Sequence, residues 1–147
     1  MATISGGIYN FTELGYVPPT WSGGIYQFGQ ADASAVYQLS PDVVGAAYLY
    51  AATDIGLIVV DVITEQEYAR ALNNAVTSVW NDNDTIYVGT NNSGIYYMDK
   101  DDITTYSGGD LTNYLFPWHK TPFLSSNYIK YLHGSGDYLC ASTAFNL

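Results

Sequence analysis

Positive charge is what this chain has least of. Against 14 acidic residues stand only Lys100, Lys120, Lys130 and Arg70, for a formal net charge of -10 over 147 residues. Nucleic-acid affinity rests on lysine and arginine neutralising phosphates, so this balance argues against a nucleic-acid partner and against an anionic membrane surface. Cysteine is nearly absent: Cys140, within the apolar run YLCA, is the only one. No internal disulfide can form, and the thiol reads as a small buried residue. Histidine is limited to His119 and His133, neither with a His or Cys at ligand spacing, so no zinc site or other metal centre is expected. Long apolar runs are missing too. VVGAAYLYAA and IGLIVVDVI are separated by Thr53 and Asp54 and fall short of the roughly 20 residues of a membrane helix. The start MATISGGIYNF has neither a positive region nor an apolar stretch of signal-peptide length, so neither conventional secretion nor membrane insertion is expected.

What is present is core-forming. At 48% hydrophobic and 16% aromatic, the chain can build an ordinary domain that buries about 70% of its unfolded surface. One phrase recurs: SGGIYNF at 5–11, SGGIYQF at 22–28 and SGIYYMD at 93–99. Laying YLYAATDIGLIVVD (48–61) over IYVGTNNSGIYYMD (86–99) aligns Tyr50 with Val88, Gly56 with Gly94 and Asp61 with Asp99. Each segment reads strand, polar turn ending in glycine, strand. That is hairpin grammar, with Gly7, Gly24, Gly56 and Gly94 as structural turn residues and β-branched or aromatic residues on the pleated flanks. The aligned aspartates stand 38 residues apart, and DYLCAST at 137–143 repeats the first half of the hairpin. Short strands recurring at this period indicate propeller blades. The stretch TEQEYARALNNAV (64–76) admits two readings: a helix opened by a Thr64–Glu67 capping box, or the outer strand of a blade.

The segment VTSVWNDNDTIYVGTNNSGIYYMDKDDI (76–103) resembles the repeat of the β-propellers found in sensor domains of two-component regulators and in many secreted or virion proteins. There a V-x-x-I/V strand precedes a turn, an I-Y/W-V-G-T strand, a second turn and a G-I/L-Y-x-x-D strand. The likeness is good over this blade, fair over 42–61, partial over YIKYLHGSGDYLCAST, and covers about two thirds of the chain. It implies an all-β fold, a partial propeller of about three blades plus an N-terminal strand pair, forming the N-terminal part of a longer ring. Its motifs specify strand packing and carry no catalytic residues, so no enzyme activity is expected of it and function stays open.

Residues 1–21 then form an N-terminal attachment segment with a proline-rich link (YVPPTW), and 22–147 the blades, with a long loop inserted at 106–127. Within that insert Phe116, Trp118, His119 and Phe123 cluster with prolines, and such a loop either binds a sugar or protein neighbour or is pinned to the core by its own aromatics. NDND (81–84) and DKDD (99–102) have the oxygen density calcium favours but lack the twelve-residue calcium loop, so they read as solvated turns. No cofactor is expected. A lysine-poor chain rich in Tyr, Asn, Ser, Thr and Gly suits exposure outside a cell, which a virion protein reaches by lysis. The expected function is therefore structural or adhesive, on a phage tail, baseplate or capsid surface. Its partners would be neighbouring virion subunits, in an oligomer, or a cell-surface receptor or glycan. A cytoplasmic sensor or scaffold propeller is the alternative, and a glycan-active enzyme a third reading.

Overall fold

The computed structural model describes residues 7–9, 25–27, 35–43, 48–61, 66–72, 74–105, 118–122, 124 and 126–143, with the side chains of 7–9, 25–27, 66–70 and 103–105 outside that description. The fold is all-β and antiparallel. β1 (Gly7–Tyr9) pairs with β2 (Ile25–Gln27). β3 (Val36–Pro41), β4 (Tyr48–Thr53), β5 (Gly56–Asp61) and β6 (Gln66–Ala71) form a four-stranded meander, the first sheet. β7 (Val76–Asn81), β8 (Thr85–Thr90), β9 (Ile95–Asp99) and β10 (His119–Lys120) form a second, with the short helix α1 (Lys100–Thr105) after β9. β11 (Ile129–Ser135) and β12 (Tyr138–Thr143) make a two-stranded third sheet.

The three sheets repeat one unit more faithfully than their residues do. Val36 pairs with Thr53, Val76 with Thr90 and Ile129 with Thr143, and after each of these pairs the first strand carries one extra residue. Tyr37, Thr77 and Lys130 are those bulged positions, each adding local twist at the same place. The second-to-third-strand turn is also shared. Thr53 Oγ1 donates to the Gly56 carbonyl at 2.7 Å, and Thr90 Oγ1 donates to the Gly94 carbonyl at 2.8 Å. Both glycines have positive φ, +136° and +86°, which side chains resist.

Packing follows from alternation. Tyr50, Ala52, Leu57 and Val59 of the first sheet meet Val79, Ile86, Val88 and Met98 of the second in one buried cluster. Leu57, Val59 and Ile86 are fully buried, each contributing about 1.5–3 kcal/mol. The opposite face of the first sheet is apolar too, with Ala51, Ile58 and Val60 buried, which is why IGLIVV shows no polar alternation. Ile129 and Leu132 of the third sheet close on Ile95, Trp80 and Tyr87 of the second. First strands are neighbours, β7 touching both β3 and β11. Side chains stitch them together: Gln38 Oε1 accepts from the Val79 N–H at 3.2 Å, and Thr77 Oγ1 donates to the Ile129 carbonyl.

Three local expectations meet a definite outcome. Of the two readings of 64–76, Gln66–Ala71 is a strand, paired along β5. An isolated short helix is marginal in water, whereas the β5 edge offers a row of backbone partners. Of NDND, Asn81 ends β7 and is buried, while 82–84 turn, Asp82 Oδ1 accepting from the N–H groups of Asp84 and Thr85 at 3.0 and 2.8 Å. DKDD instead opens a helix, where Asp99 Oδ1 accepts from the Asp101 N–H at 2.9 Å.

Candidate interaction surface

An aromatic ladder crosses the second sheet on the face turned toward the third. Trp80 stands opposite Tyr87, Tyr87 opposite Tyr97, and Tyr97 opposite His119. Ring centroids step by 5.5, 6.0 and 5.2 Å along the row. Directly opposed residues of antiparallel strands sit close enough for such tilted contacts. The third sheet covers half of the row. Trp80 lies against Gly134, where an added Cβ would stand 2.1 Å from Trp80 Cζ2, and Tyr87 packs in the cluster of Ile129, Leu132 and Leu139. Tyr97 is half-buried and His119 exposed.

The second strand of the third sheet, β12, pairs among the described residues only with β11. Tyr131 and Tyr138 are 57% and 77% exposed. Cys140 is exposed as well, correcting the expectation of a buried thiol, because alternation along YLCAST turns it to the same outward face as Tyr138.

At the other end of the first two sheets lies a buried polar knot. Lys100 Nζ donates to Asp42 Oδ1 at 2.6 Å and to Asn81 Oδ1 at 2.8 Å, with the lysine and aspartate side chains only 11% and 8% exposed. The Asn81 amide donates to Ser40 Oγ at 2.8 Å and to the Pro41 carbonyl at 2.9 Å. Lys100 Nζ also stands 5.9 Å from the Tyr50 ring centroid. The Tyr50 hydroxyl is held well above the ordinary tyrosine pKa, by burial first, then by Asp42 and Tyr48. Lys100 reaches Asp42 and Tyr50, and Asn81 reaches Ser40 and Pro41, so two side chains on the second sheet's side bind the first and the knot serves as a latch.

Of the four loop residues singled out in the sequence, Phe116 and Phe123 lie outside the described residues. Trp118 is half-buried, packed on the core between the first two sheets with its indole N–H buried and unpartnered. His119 is the exposed end of the ladder. Gly56 and Gly94 occupy the positive-φ turns, Gly7 begins β1, and Gly24 is outside the described residues. The ladder itself went unread, although the sequence carries its signal: TIYVGT alternates, so its aromatic must face away from Ile86 and Val88. Among the described residues no three of His, Cys, Asp and Glu gather as a metal site, and no helix is long and apolar enough to cross a membrane. Comparison with known protein families, with curated proteins and with solved structures returns no match.

Proposed function

We propose that this chain is a structural and adhesive protein of a virion surface, in which propeller blades hold loops and strand edges rigidly toward a neighbouring subunit or a host receptor. The observation that carries the reading is the recurrence of one unit: the same bulge, the same opposed threonine, and first strands side by side. Sheets that bury their faces on their neighbours are how blades are held. Binding is further supported by the aromatic surface, since tyrosine offers large amphipathic contact area at little entropic cost. The acidic, lysine-poor composition supports a setting outside the cell.

The test is quantitative mass spectrometry of particles from the native source after stringent washing. Recovery of the chain in fixed proportion to the known coat components is expected. Recovery only in the cytosolic fraction would replace this reading with that of a cytoplasmic scaffold.

A further inference from the structure

We propose that two copies of this chain close into one ring of six four-stranded sheets, the β1–β2 pair of each copy supplying the third and fourth strands of the other's β11–β12 sheet. In chain order the described sheets hold two, four, four and two strands. Bulge and threonine identify β11 and β12 as the first and second strands of their unit. Thr143 thus corresponds to Thr53 and Thr90, whose hydrogen-bond partners are Gly56, which begins a third strand, and Gly94, which immediately precedes one. Gly7-Ile8-Tyr9 in β1 repeats that third-strand word, Gly94-Ile95-Tyr96.

Chain path assigns the order within the pair. From β6 to β7 and from β10 to β11, the outermost strand of one sheet leads into the first strand of the next. β2 leads into β3, so β2 takes the outermost place and β1 the third. The completed sheet would continue an interface that already exists, laying β1 and β2 of the second copy over Tyr97 and His119, the half of the ladder that β11 and β12 leave uncovered. No charged residue lies in Gly7–Tyr9, Ile25–Gln27 or Tyr138–Thr143, so two acidic chains meet there without like charges opposed. A ring of six sheets falls within the usual four to eight. The proposal rests on the blade reading above and is independent of the virion setting.

Repeating the register of the second sheet, in which Ile95 opposes Gly89 and Tyr96 opposes Val88, puts Ile8 opposite Ser142 and Tyr9 opposite Ala141. Directly opposed positions lie about 4.5–5.5 Å apart at Cα, within disulfide reach. In a Cys140→Ser background of the full chain, the pair Ile8→Cys and Ser142→Cys is oxidised at micromolar protein. The unmodified chain is weighed by light scattering. Expected are a particle of twice the 16.1 kDa chain mass and a covalent dimer, with no such bridge for Tyr9→Cys and Ser142→Cys, which are not directly opposed in this register. A monomer, an intrachain bridge, or a dimer without the 8–142 bridge would overturn the proposal. A monomer that still copurifies with particles would leave the virion reading standing, whereas a bridged dimer missing from particles would refute that reading alone.

Discussion

At the scale of single residues, two glycines and a tyrosine show how little freedom the sheets allow. Gly134 gives Trp80 its resting place, so Gly134→Ala drives a methyl into the indole. A loss of about 1–3 kcal/mol is expected, read as a lowered urea midpoint at unchanged slope. At Gly56 a side chain would meet the Leu72 carbonyl oxygen at 2.0 Å and adopt φ +136°. Gly56→Ala should therefore cost at least about 2 kcal/mol in the same assay. Tyr50 titrates above the ordinary tyrosine value of about 10 because burial disfavours its phenolate. The sign follows from proton binding: above pH ~10 the unfolded chain releases this proton while the folded chain keeps it. Stability contributed by Tyr50 is whole below that pH and lost as pH rises further. Tyr50→Phe should flatten the alkaline fall of stability relative to the parent, as measured by urea midpoints across pH 9–11.

At the scale of elements, the sheets are tied by a few polar bonds whose loss is felt unequally. Lys100 and Asp42 form a buried pair between the first two sheets. Lys100→Met leaves Asp42 and Asn81 facing an apolar side chain, with an expected cost of about 3–5 kcal/mol. Asp42→Asn together with Lys100→Met removes both charges and should recover part of that loss, which a double-mutant cycle in urea would measure. The hairpins were plain in the sequence because glycine and β-branched residues report local backbone needs. The ladder and the latch were not, because each depends on which strand lies opposite which. Asn81 looked like a turn residue, yet it bonds Ser40 and Pro41 across 40 positions of sequence. Trp118 admitted two readings from sequence, a binding loop or a loop pinned by its aromatics, and its ring packs on the core.

At the scale of the whole molecule, stability should grade from the middle sheets to the last edge. β4, β5 and β8 are central strands with buried side chains, whereas most of β12 is exposed and one of its edges is unpaired among the described residues. Hydrogen exchange in dilute solution should be slowest in β4, β5 and β8 and faster by orders of magnitude in β12. Protection of β12 that rises with protein concentration is the exchange signature of a paired edge.

By itself, the sequence determined the all-β class, the hairpins with their glycine turns, and the recurrence of one unit, because backbone preference and two-residue alternation are properties of neighbours along the chain. Whether Gln66–Ala71 became strand or helix was decided only by tertiary structure, since the free edge of β5 satisfies backbone groups that a lone helix could not hold. The shared bulges, the half-covered ladder and the Lys100 latch were likewise settled there. The bulges and the ladder depend on which strand pairs with which and in what register, and the ladder's cover and the latch on the packing of one sheet on the next.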